Sequence, residues 1–240
     1  MLKGFLEKEG NLIDKLTDTF AGDTGRALGE DWVMKDEQKG GNATITVYFS
    51  IDIPFENESY FFIPSTLEPY EFRYWEVKAA IAQVLNIFKY NGITLKSELT
   101  DNNDIIKYIS LDNQNNLGIK IQNFGDYSGS NVYKNNQIEK CYVNIENTFK
   151  IFYKNNENIQ KFAKFYHILG FSLAHELLHQ LLIKSNFPNW KSNEGHIIDK
   201  EFGDNLNTDG YEINFFEDKL SIINRIHPSH LKHIKSFYKL

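Results

Sequence analysis

One cysteine, Cys141, stands among 240 residues. An intrachain disulfide is therefore excluded, and a reducing compartment or a bacterial origin is favoured. That thiol lies between charged and strand-like residues and reads as a buried structural group rather than a nucleophile. Methionine is scarce, with only Met1 and Met34. No run approaches the ~20 apolar residues of a membrane-spanning helix. The opening segment, Met1 to Glu9, carries charges where a signal peptide needs an apolar core. The chain as given thus reads as soluble, either cytoplasmic or exported by a non-classical route. A net charge of −6 argues against a general nucleic-acid binder. Acidic residues end at Asp218, and Lys219, Arg225, Lys232, Lys235 and Lys239 follow. This basic tail reads as a solvated face.

What is present is a soluble composition, 41% hydrophobic and 24% charged. Residues 1–42 are weakly amphipathic and broken by glycine, and read as a helical leader and linker. Residues 43–240 are expected to form one domain. Ile45, Val47, Phe49 and Ile51 alternate with Thr44, Thr46, Tyr48 and Ser50, which predicts a strand over 43–53. A helical pattern follows over 71–90, ended by Asn91-Gly92. Strands are expected at 93–99 and 117–124, with a further apolar stretch at 105–111. A short edge strand is expected at 131–133 and another strand at 141–149. Asn155–Asn158 offers an N-cap for a long helix from about Ile159 to about Lys184. Phe162, Phe165, Leu169, Leu173, Leu177 and Leu181 line its buried side, and Asn186-Phe187-Pro188 stops it. An amphipathic stretch over 215–226 and a last short helix close the chain.

The chemistry concentrates at His175-Glu176-Leu177-Leu178-His179, an H-E-x-x-H motif. On a helix, residues four apart project from one face, so His175 and His179 can bind one zinc ion. Glu176 lies beside them and can take a proton from water activated by the metal. An exposed polar pair is a poor explanation, because these residues interrupt a nearly continuous apolar stretch for no packing benefit. A catalytic zinc takes a third protein ligand. His196, 17 residues after His179 and directly after Gly195, is the leading candidate; Glu194, Asp199 and Asp204 are the alternatives. His227, His230 and His233 form a second cluster, read as part of the solvated tail. His167 is read as structural.

This order of elements, with a long helix carrying H-E-x-x-H, resembles the metzincin-type zinc peptidase domain over about residues 43–226. The resemblance implies an α+β fold: a mixed sheet of four to five strands packed on two long helices, with an irregular, partly helical C-terminal part. It also implies a zinc-dependent endopeptidase with one catalytic Zn²⁺ on His175, His179 and His196, and Glu176 as general base. Tyr211 would help to hold the oxyanion, and an extended protein or peptide substrate would pair with the edge strand at 131–133. The family's motif continues as H-E-x-x-H-x-x-G-x-x-H. Leu182 occupies the glycine slot and Ser185 the last histidine slot, so the helix should run on and the third ligand arrive later. The family's methionine turn is missing, and Asp204-Asn205-Leu206-Asn207 looks like a degenerate version of the Asn-Leu-Met segment of many bacterial members. The run Phe-Ser-Leu-Ala-His-Glu-Leu-Leu-His-Gln-Leu-Leu, residues 171–182, also resembles metallopeptidase modules of bacterial polymorphic toxins. That likeness implies a leader joined to a delivery scaffold and a cognate inhibitor or immunity protein as partner. Two other functions fit the same residues: a metal-dependent hydrolase of another bond, such as a deamidase, and a non-catalytic interaction module with a vestigial site.

Overall fold

A computed structural model describes residues 45–55, 60–64, 69–101, 105–110, 113–123, 125, 127, 129–134, 137–154, 160, 163–188, 195–197, 205–206 and 225–240. The chain divides into two units, Met1–Gly40 and Gly41–Leu240. The described residues belong to the second, so the expected leader over 1–42 lies outside them. Among them no helix is long and apolar enough to cross a membrane.

The second unit is an α+β fold built on a five-stranded, mostly parallel sheet. β1 (Ile45–Asp52) is followed by a small antiparallel pair, β2 (Tyr60–Ile63) and β3 (Tyr70–Arg73). Then come α1 (Tyr74–Tyr90), β4 (Leu95–Thr100), α2 (Ile105–Ile109), β5 (Asn116–Gln122), β6 (Gly129–Lys134) and β7 (Gln137–Asn144). The short α3 (Ile145–Thr148) runs into a wide π-type segment, Phe149–Lys154. The long α4 (Phe165–Lys184) and a closing α5 (Pro228–Tyr238) complete the described elements. The sheet order is β4-β1-β5-β7-β6; only β6 runs antiparallel to its neighbour.

Strand alternation in β1 is borne out from Ile45 to Phe49, with Ile45, Val47 and Phe49 fully buried; it fails at the end of the strand, where Ser50 is buried and Ile51 half-buried. α1 is the crossover that lets β4 return parallel to β1, as parallel neighbours require. α1 and α4 pack on each other at Gly170: a Cβ there would lie 2.8 Å from Gln83 Cβ and 3.0 Å from the Ala80 carbonyl. Every residue of α4 except His167, Ser172 and His175 is buried. The apolar helix expected in the middle of the domain is there, with the motif on it.

Several boundaries differ from expectation. Tyr70–Arg73 is a strand, so α1 starts at Tyr74; its first turn is closed by Glu76, which accepts from the Arg73 N–H (2.8 Å) and the Tyr70 hydroxyl (2.7 Å). The stretch at 105–111 is helical over Ile105–Ile109. The strand expected at 141–149 starts earlier and ends at Asn144, whose buried side-chain carbonyl accepts from Gln122 (2.7 Å) as the chain turns into α3. The long helix begins at Phe165, not near Ile159. Lys164 is extended (φ −89°, ψ 157°), and its N–H donates to His167 Nδ1 at 3.0 Å. His167 is thus a capping residue at the far end of α4 from the motif. Residues 155–159 and Phe162 lie outside the described residues, as does most of the stretch over 215–226.

The C-terminal histidines correct a further expectation. They are not a solvated tail. His227 caps α5 by accepting from Ser229 N, His230 is fully buried, and His233 Nε2 donates to the Ser185 carbonyl at 2.9 Å. Ile234 and Tyr238 are buried on the same helix. The polar face reads as solvent-facing in sequence, but every third or fourth residue of α5 is spent on docking.

Candidate metal centre

The site is built from α4 outward. The helix does not bend at Leu182; it runs to Lys184 and stops in a Schellman turn. Asn186 takes the left-handed conformation (φ 54°), its N–H donates to the Ile183 carbonyl, and the Phe187 N–H donates to the Leu182 carbonyl. Phe187 then packs edge-on against His230 and His233. With Leu182 and Ser185 the helix runs to its cap, and the chain reaches the motif again only after it. Gly195, with φ 77°, precedes His196 at that return.

The three predicted histidines come together. His175 Nε2 lies 3.0 Å from His179 Nε2 and 3.4 Å from His196 Nε2. One ligand atom from each lies within 4.8 Å of those of the other two. The rings of His175 and His179 are perpendicular, as are those of His179 and His196. Two nitrogens held ~2.05 Å from one tetrahedral zinc ion lie about 3.3 Å apart, so these separations fit a shared cation.

Protonation points the same way. His175 Nδ1 lies 2.7 Å from the Leu206 carbonyl. A carbonyl only accepts, so the ring proton belongs on Nδ1, and Nε2 presents a lone pair to the other two histidines. A ligating histidine is commonly oriented by such a bond from its second nitrogen. Leu206 is itself buried, its N–H donates to the Arg225 carbonyl, and neighbouring Asn205 donates to the Ile197 carbonyl at 3.3 Å. Asn205 and Leu206 thus hold both the His175 ring and the residue after His196.

Glu176 is buried beside this cluster. Asn131, on β6, donates from Nδ2 to Glu176 Oε2 (2.6 Å) and to the Glu176 carbonyl (3.0 Å). Gly129 passes so close that a Cβ would lie 2.6 Å from Glu176 Oε1. Gln180, next to His179, donates to the Gly118 carbonyl (2.6 Å) and accepts from the Gly118 N–H (3.1 Å). Cys141 is buried, and burial pushes its thiol well above its ordinary value, so it carries no nucleophile.

Of the alternatives for the third ligand, Glu194, Asp199 and Asp204 lie outside the described residues, as does Tyr211. Two contacts with the motif escape sequence reading. The Leu206 carbonyl is main chain and carries no residue-type signal. Asn131 lies in the expected edge strand, but only the fold shows that it faces Glu176.

No protein-family model matches the chain, and no curated protein matches it either. Among solved structures it is similar to a chain of the GM1-bound form of the ECX AB5 holotoxin, at 12% identity, with 80% of each chain covered and a TM-score of 0.42.

Proposed function

We propose that the chain is a zinc-dependent peptidase with His175, His179 and His196 as metal ligands and Glu176 as general base. The observation that carries this reading is the convergence of three Nε2 atoms beside a buried glutamate, with the His175 ring turned toward them by Leu206. Zinc, when bound, acts as a Lewis acid that acidifies water and polarises a carbonyl. The protein's own groups do the rest. Glu176 accepts a proton from the attacking water and delivers it to the departing amine nitrogen. α4 keeps base and ligands on one rigid element, and Gln180 fastens that element to the sheet. β6, the strand at the sheet edge on this side, offers main-chain groups to an extended substrate.

Metal analysis and turnover test the proposal together. The purified chain should hold one zinc per molecule, and His175→Ala should hold none. The zinc-loaded chain should cleave a quenched fluorescent peptide library, while Glu176→Gln keeps its metal and loses turnover. An intact library beside a full complement of zinc would shift the reading to hydrolysis of another bond. Absence of zinc from the wild type would end it.

A further inference from the structure

We infer that Asn131 is a positioning residue for the base: its side-chain amide holds the Glu176 carboxylate in the orientation that proton transfer needs, and Gly129 provides the clearance. The inference rests on the peptidase reading above and deepens it.

Glu176 ends in a carboxylate that can rotate about its last torsion, and a general base works only when one oxygen is aimed at the proton it takes. Asn131 removes that freedom. Its Nδ2 has two hydrogens, and both are used on the same residue, one on carboxylate Oε2 and one on the main-chain carbonyl. The second bond fixes where the amide stands; the first transfers that position to the carboxylate. The shorter contact, 2.6 Å, is the one to the ionisable group.

The geometry is costly enough to need a reason. The other end of the amide, Asn131 Oδ1, is buried and makes no hydrogen bond among the described residues. A buried acceptor without a donor costs stability. Reversing the amide would not help, because it would turn Oδ1 against two acceptors. Tying β6 to α4 would need only the bond to the main-chain carbonyl. The amide also reaches the carboxylate, and its carbonyl is left stranded.

The holder is rigid. Asn131 pairs with Cys141 of β7, and β6 is anchored along that strand. A site carried by strand and helix keeps its geometry better than one carried by loops. Gly129, two residues earlier, lies on the same face of the strand. A Cβ at Gly129 would meet Glu176 Oε1 at 2.6 Å and Cγ at 3.0 Å, so a side chain there would push the carboxylate out of place.

The test joins turnover on the peptide library with a stability cycle in the metal-free full-length chain. Asn131→Ala should keep one zinc, lower kcat on the order of 10- to 100-fold and change KM by about twofold at most. In a Glu176→Gln background the same substitution should lower turnover no further, because the group it positions is gone. Asn131→Asp, similar in shape but lacking donors, should lose more than Asn131→Ala. With metal removed by chelation, Asn131→Ala should shift the urea midpoint more in the wild type than in a Glu176→Ala background. Equal shifts in the two backgrounds, or a KM effect with kcat intact, would overturn the inference. If the wild type leaves the library uncut, the peptidase reading fails, and the metal-free cycle alone decides whether Asn131 holds the carboxylate. Should Asn131→Ala not fold, Asn131→Ser replaces it in every arm.

Discussion

Gln180 and Gly118 are 62 residues apart in sequence, yet the Gln180 amide is bonded at both ends to the Gly118 main chain. Beyond Lys120 toward its start, β5 has no register partner in β7. The glutamine stands in for a strand there, presenting one donor and one acceptor as a peptide group would. The residue after the second histidine of the motif is thereby locked into the sheet, and α4 cannot rotate about its axis without breaking both bonds.

Replacing Gln180 should therefore act on stability and on the metal together. Gln180→Leu leaves the buried Gly118 N–H and carbonyl without their side-chain partners, at a cost of about 2–5 kcal/mol for the two groups. Gln180→Glu should cost more, since a carboxylate would face a carbonyl. Urea denaturation of the metal-free chain measures the first effect, and competition with a chelator measures the expected weakening of zinc binding.

A second prediction concerns the end of the same helix. The Lys184 ammonium is buried among four carbonyls, of Tyr108, Ser110, Asn113 and Asn116, which share its three hydrogens at 2.6–3.1 Å. It gathers the connection between α2 and β5 onto α4, and it lies where a cation also suits the helix dipole. Lys184→Met keeps the stem and removes the donors. It should destabilise the fold by about 2–4 kcal/mol, read as a fall in the denaturation midpoint. Zinc stoichiometry should be unchanged in the folded variant.

Acid stability should depend on two groups with opposite signs. Burial pulls His230 down to about 4, helped by the neighbouring His227, His233 and His196. Between pH 6.5 and 4 the unfolded chain then binds the extra proton, so this histidine's contribution to stability is lost as pH falls through that window. Burial pushes Glu76 up to about 7 against the bonds from Arg73 and Tyr70. Between pH 4.5 and 7 the folded chain binds the extra proton, so stability from this group falls as pH rises. In chelator, His230→Leu should lose less stability than the wild type from pH 6.5 to 4.5, and Glu76→Gln should lose more. Denaturation midpoints at three pH values across that range check both slopes.

Metal itself should stabilise the fold. With free zinc at 100 times its Kd, a single site on the native state adds about 2.7 kcal/mol. Thermal melting should shift up with zinc in the wild type and stay unmoved in His175→Ala. His196→Ala should fall between them, because two imidazoles on one helix remain.

Much of this arrangement is written locally. The period-2 pattern of Ile45, Val47 and Phe49 marks β1 because one strand's faces are set by its own alternation. The spacing of His175 and His179 places both rings on one helical face, since 3.6 residues make a turn. Leu182 in place of glycine means that α4 runs on to Lys184. Even the candidacy of His196 was legible, from residue type and the glycine before it.

Other features are decided by partners far away in sequence. The start of α4 at Phe165 goes with an extended Lys164 whose N–H is taken by the His167 ring. β7 ends at Asn144, where the side-chain carbonyl accepts from Gln122 on the neighbouring strand and the chain turns into α3. His230 looks like one polar residue in a basic tail, but α5 docks on the turn at Phe187 and buries it. Above all, neither Asn131 nor the Leu206 carbonyl announces that it meets the motif. Spacing along one helix determines which side chains share a face. The approach of a strand 45 residues earlier or a main-chain carbonyl 31 residues later is set only when the sheet, the helix and the returning chain are packed together.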